Sequence, residues 1–277
     1  MAANAGRYPV SAQCGILGVP GSTCCAMRSR ADAPKAPDPI EPDAPAVHEA
    51  SRGRCGSRKT KAAPARSGKT ASRRRICRIM GENGLSGAYG RKRFEVHPGK
   101  PNEADAPSIV ARGFRGRAPR THVCSDLAYV RVGGGWSCVC PPIGLYNRET
   151  AGHSAGPRKD AGLVGSAFAT LDFPISDIEA SHAGRGSEFG NAKIDCPLDA
   201  FDARRSLSKK GRPYDNAVDE SANKIPKAEF AYRESFANTR ELQVKLSDCV
   251  HWYNNFRIHS TLGYMSPVEF RKAGLAL

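Results

Sequence analysis

The sequence predicts an α/β fold preceded by a small, basic helical region, and three observations predict it. Strand-like runs begin at about Thr121, an apolar stretch at helical spacing follows at residues 161–173, and the chain closes on a long amphipathic helix. With 277 residues, length alone suggests about two domains, and 42 Lys+Arg against 27 Asp+Glu leave a net charge of +15. That excess points to a polyanion such as nucleic acid and away from a neutral metabolic enzyme. At 40% hydrophobic, with 28 Gly and 20 Pro, the chain supports one modest core and long loops.

No apolar run approaches the roughly 18 to 20 residues of a membrane span. The opening MAANAGRYPVSAQC lacks the charged and apolar regions of a signal peptide. The expectation is a cytoplasmic protein with no membrane partner. The ten cysteines are irregularly spaced, adjacent at Cys24 and Cys25, one apart at Cys138 and Cys140, and nowhere CxxC. Zinc sites need such short pairs, so reduced, incidental thiols are the better reading.

Taken in order, residues 1–50 read as a poorly ordered segment. Within it, Pro34, Pro37, Pro39, Pro42 and Pro45 fall between residues 31 and 47 and favour an extended spacer. Residues 51–93 hold 14 Lys/Arg and one acid, Glu82, so the charge is one patch. Inside it the pattern is helix, turn, helix. The first helix ends near Gly68, although Pro64 within it removes a hydrogen bond at a cost of about 3 kcal/mol. The second begins at a natural cap, Thr70 or Ser72, with Ile76, Ile79 and Met80 on one face and Arg73, Arg74, Arg75 and Arg78 crowding its front. A helix-turn-helix sets its second helix in the major groove and its basic side chains against phosphates; Arg58 and Lys59 on the first helix join the candidate DNA contacts. The bland alternative is a solvated basic segment.

Residues 94–119 are assigned as a linker and residues 120–277 as the main domain. VCSDLAYVRV, WSCVC and ETAGHS read as a strand meander with a turn at residues 133–135. Leu163, Val164, Ala167, Phe168 and Leu171 then give a helix that covers one sheet face. At the end, Asn238 and Glu241 make a capping pair, and Leu242, Leu246, Cys249, Tyr253 and Phe256 predict an amphipathic helix of about five turns. Trp252, Tyr253, Phe256 and Arg257 suit base stacking or core, and core is the commoner use of such a stripe. His251 and His259 have no metal-ligand spacing.

The string SLSKKGRPYDNAVDES, followed by FANTRELQVKLSDCVHWYNNFRIHSTLGYMSPVEF, closely resembles the C-terminal half of OrfB-type transposases of the insertion-sequence-three family. The hallmark runs are Gly211 to Ser221 and Tyr253 to Pro267. The resemblance extends back through SDLAYV, LYNRETAGHS, RGSEF and the basic helix pair, with an echo in residues 14–28, where the family carries a small helical segment. It implies an RNase H-like mixed five-stranded sheet flanked by helices, as in retroviral integrases, behind a small helix-turn-helix-like region. In that core three carboxylates hold two Mg²⁺ (or Mn²⁺) ions, hard cations that stabilise attacking and leaving oxygens in phosphodiester transfer. By motif the catalytic and metal-binding acids are Asp126 and Glu220, with Asp219 about 100° away and Asp215 a capping acid.

The second acid is absent, because Gly184 stands where the family has aspartate before Arg-Gly-Ser. The nearest acids, Glu188 and Glu179, are four and five residues away. Other departures are Gly144 for Asp, Cys138 for Tyr, Pro226 for Leu, Pro197 in a helix, and Pro141 and Pro142 in an interior strand. Asp to Gly, Tyr to Cys and Leu to Pro each follow from one A-to-G or T-to-C change, which suggests a decayed copy of a mobile element. An alignment of the gene with an intact copy that showed transversions or frameshifts would count against this. The resemblance further implies the element's terminal repeats and target DNA as partners, a homo-oligomer, an upstream helix-turn-helix partner protein, and a nucleoid-associated location.

Overall fold

The computed structural model describes residues 6–32, 38–88, 118–183, 189, 192–200, 202–207, 227–231 and 233–277. The chain divides into two compact units, residues 1–42 and 43–277. In the first, helix α1 (Val10–Leu17) is closed by Gly18, whose φ of 61° suits a residue without a Cβ, and helix α2 (Gly21–Asp32) follows. Cys14 and Cys24, one on each helix, are buried. This part of the chain is therefore helical where composition predicted poor order.

The predicted extended spacer also ends sooner than expected. Helix α3 (Asp43–Ala50) begins within it. Proline density misled here because Pro45 lies in the first turn, where its missing N–H has no partner to lose. Helices α4 (Ser57–Ala65) and α5 (Arg73–Glu82) complete a three-helix group. Ala44, Thr60, Pro64, Ile76, Ile79 and Met80 are buried within it. Pro64 falls in the last turn of α4, so it interrupts less of the helix than a central proline would. Ser72 caps α5 as predicted, its Oγ accepting from the Arg75 N–H at 3.1 Å.

The main domain opens with β1 (His122–Ser125), β2 (Ala128–Val132), β3 (Gly135–Cys140), β4 (Ile143–Gly144) and β5 (Ser154–Gly156). Helix α6 (Ala161–Phe168), β6 (Ala180–Ala183), α7 (Ala192–Ala200) and β7 (Arg204–Leu207) follow. The ladders form a four-stranded sheet, β4-β1-β6-β7, and a three-stranded sheet, β2-β3-β5. Val123 faces Gly144, Ala128 faces Val139 and Val132 faces Gly135, all in one register. Thus β1 with β2, and β3 with β4, are halves of two long antiparallel strands. That register sets Pro141 and Pro142 against Asp126 and Ser125, and the ladder breaks there because proline offers no N–H. The mixed sheet expected from the sequence is present, with two of its five strands broken at the prolines.

Leu163, Val164, Ala167 and Phe168 of α6 cover one face together with Ile194 and Leu198 of α7. Helix α7 continues through Pro197, where an interruption was expected. Helix α8 (Thr239–Asn255) covers the other face with Leu242, Leu246 and Cys249, and Phe230 and Phe236 join that cluster. A short helix, α9 (Pro267–Lys272), begins with a complete capping box between Ser266 and Glu269. Among the described residues no helix is long and apolar enough to cross a membrane.

Candidate active site and nucleic-acid interface

Asp126 lies in the break between β1 and β2, half-buried. Strand β6 runs parallel beside β1 and sets Ala183 against Ser125. The described part of β6 thus ends level with the approach to Asp126, one residue before Gly184 in the sequence. Gly184, Glu188 and Glu220 lie outside the described residues, as do Asp215, Asp219 and Pro226. Glu179 precedes β6 and its N–H donates to the Thr121 carbonyl, so it sits at the opposite end of the strand from Ala183. About 3.3 Å per residue over that strand removes it as a replacement ligand.

Mg²⁺ needs hard oxygen donors, and a glycine at the second acidic position supplies no carboxylate. Among the described residues no group of three or more His, Cys, Asp or Glu side chains is placed to hold a metal ion. At Gly144 the backbone does not require glycine: an added Cβ would meet nothing closer than Asn147 Oδ1 at 3.5 Å.

The basic helix group has two faces. On one, Arg52 pairs with Asp248 of α8. Arg54 is buried with its guanidinium carbon 4.3 Å from the centre of the Trp252 ring, and Arg66 pairs with Glu269 of α9. Trp252 Nε1 donates to the Ala50 carbonyl at 3.4 Å, and Arg233 donates to Gly53 at 3.2 Å. Lys59 is half-buried, and burial, then the nearby Arg257, hold its ammonium below the usual lysine range.

On the other face Arg58, Arg73, Arg74 and Arg78 are exposed and Arg75 is half-buried. Arg78 bonds Glu82 one turn along at 3.0 Å. The first turn of α5 carries no acid. Three arginines at a helix N-terminus oppose its dipole, so they do not stabilise the helix and instead suit an anion brought from outside.

The residues of the Tyr253 to Pro267 run hold one another. Arg257 and Glu229 are buried and meet through two bonds of 2.7 Å. Burial alone would raise the Glu229 carboxyl, but Arg257 outweighs it and holds the group below the ordinary range. Arg257 Nη1 also lies 3.0 Å from Nε2 of His259. Burial, with Arg257 beside it, pushes His259 down to about 2, so its ring is neutral. Tyr253 packs edge-on to His259 with ring centres 4.9 Å apart, and burial raises its phenol to about 12. Asn254 exchanges two bonds of 2.9 Å with the backbone of Thr150. The stripe on α8 is therefore core, apart from Phe256, which is exposed.

Sequence reasoning missed Glu229, Arg52, Arg54 and the docking of α3. No local pattern marks a pair separated by 28 residues.

A family model described as an integrase core domain matches residues 202–267, and one described as an HTH-like domain matches residues 43–93. The putative transposase InsK for insertion sequence element IS150 of Escherichia coli is 26% identical over 227 residues, covering 81% of this chain and 80% of that protein. The transposase for insertion sequence element IS904 of Lactococcus lactis is 26% identical over 231 residues, covering 82% of this chain and 91% of that protein. Among solved structures, the HTLV-2 integrase catalytic core domain in complex with magnesium is 10% identical at a TM-score of 0.44, covering 56% of this chain and 99% of that one.

Proposed function

We propose that the chain is an OrfB-type DDE transposase of the insertion-sequence-three family, by descent an enzyme of DNA integration and recombination, that keeps DNA binding and has lost strand transfer. One observation carries the reading. The second acidic position is Gly184, and the other acid described on β6's approach, Glu179, lies at the wrong end of the strand. Family members use a divalent metal. In a relative with three acids, the ions would stabilise the attacking and leaving oxygens of phosphodiester exchange. Here Asp126 and Glu220 would remain as ligands, two carboxylates where three are needed.

DNA binding rests on the exposed arginines of α5 and on the net charge of +15. The element's terminal repeats are the expected duplex partner, target DNA the second, and the nucleoid the place of action. A homo-oligomer and an upstream helix-turn-helix protein complete the expected assembly. A second reading follows from the same observation: a chain that binds element ends without cutting them restrains transposition by active copies.

The test is Mg²⁺- or Mn²⁺-dependent joining of a labelled element end to target DNA, run with the chain and its Gly184→Asp variant side by side. The expected result is joining by the variant alone. Joining by the unaltered chain would show that another acid serves the metals. Failure of both, with duplex binding intact, would extend the damage beyond residue 184.

A further inference from the structure

The hairpin β2–β3 presents two aromatic rings to solvent at the far end of the strand that carries Asp126. Its register pairs Tyr129 with Cys138 and Arg131 with Trp136. Alternation puts Tyr129 and Arg131 on the face where Leu127 and Cys138 pack under α6. Beyond the reach of α6 the rings on that face are exposed. Trp136 is 57% exposed and Tyr129 39%, with ring centres 6.5 Å apart and planes at 84°. The Arg131 guanidinium lies 5.4 Å from the Trp136 ring centre, and Lys159 Nζ lies 6.0 Å from that of Tyr129. The neighbouring acid, Asp160, is engaged in capping α6 through the Leu163 N–H at 2.9 Å.

We propose that Tyr129, Trp136, Arg131 and Lys159 form a stacking platform for unpaired nucleotides of a DNA strand. The proposal rests on the reading of the chain as a DNA-binding protein and adds a second, distinct site to it. Flat rings beside cations match the two parts of a single strand, base faces and phosphates. A duplex keeps its base faces stacked inside, so it has no use for the Trp136 ring and meets only the cations. The exposed basic face of α5 serves the opposite need, with cations and no aromatic side chain. Tyr129 and Arg131 are three and five residues from Asp126, about 10 to 17 Å along the strand. A strand unpaired over a few nucleotides spans that distance.

The experiment is titration of the full chain with a 12-nucleotide single strand and with the duplex of the same length, followed by tryptophan fluorescence and by anisotropy of labelled DNA. Trp252 is buried, so a change in emission reports on Trp136. The expected result is quenching by the single strand and not by the duplex. Trp136→Ala should abolish the quenching and weaken single-strand binding about tenfold, the loss of roughly one stacked base, while duplex binding changes less than twofold. Trp136→Tyr should restore most of the affinity, and Lys159→Ala, away from the sheet, should weaken the single strand more than the duplex. The platform is overturned if Trp136→Ala binds the single strand as the original does, or if both forms of DNA lose affinity equally. A chain that binds neither form overturns the DNA-binding reading as well, and intact duplex binding separates the two failures.

Discussion

The two faces of the basic helix group have the same composition and opposite uses. Toward α8 and α9, Arg52, Arg54 and Arg66 meet Asp248, Trp252 and Glu269. Away from them, Arg58, Arg73 and Arg74 face solvent. A count of positive charge along the sequence therefore overstates what is offered to DNA. Part of the patch is architecture, binding the helix group to the main domain, and among its described residues the front of α5 has the geometry of an anion site.

That contrast breaks most sharply at Arg257. Removing its side chain leaves Glu229 buried and unpaired, and the loss of one member of a buried pair costs about 3 to 5 kcal/mol. For Arg257→Ala we expect a fall of that size in urea-unfolding stability, with Lys59 losing its repulsive neighbour. Glu229→Gln with Arg257→Met, which removes both charges, should recover much of the loss. A single variant within about 1 kcal/mol of the original would mean that the pair is not a closed, desolvated contact.

The inner face also sets a pH dependence. His259 is held at about 2 in the fold against an ordinary 6.5, so the unfolded chain takes up a proton that the folded chain refuses. Stability from this group is present above pH 6.5 and is lost as pH falls toward 2. Between pH 7 and pH 5 the loss is about 2 kcal/mol, at 1.36 kcal/mol per pH unit below 6.5. Glu229, held below its ordinary 4.5, adds its own loss only at lower pH. Melts at the two pH values for the chain and for His259→Gln check this. The variant should show a flatter dependence, and an unchanged slope would place the titrating group elsewhere.

What was legible in the sequence was local. Ser72 and Asn238 cap the helices that follow them, and Ile76, Ile79 and Met80 are buried at the predicted spacing. Phe256 continues the apolar spacing of α8 yet is 63% exposed, because the helix ends at Asn255 and the backbone turns to φ −124°, ψ −26°. Periodicity predicts a face only while the helix lasts. The proline arguments failed at α3 and α7 and held at Pro141 and Pro142, where the missing N–H falls inside an interior ladder. The Glu229–Arg257 pair was not legible, because only the tertiary fold brings together two residues 28 apart in the sequence.

The smallest expected effect on stability is also the one that separates the two faces most cleanly. Arg73→Ala with Arg74→Ala removes two exposed cations from the N-terminus of α5, where they oppose the helix dipole, so stability should stay within about 0.5 kcal/mol. The salt dependence of duplex binding should fall, with the slope of log K against log salt reduced by about 1.8, or 0.9 for each lost phosphate contact. Arg52→Ala should do the reverse. It should lower stability by about 0 to 1 kcal/mol, as expected for an exposed pair with Asp248, and leave the salt slope unchanged. If both variants reduce the slope alike, the inner face reaches DNA too. The helix group must then leave α8 when it binds, because the carboxylate of Asp248 and a phosphate cannot hold the same guanidinium edge at once.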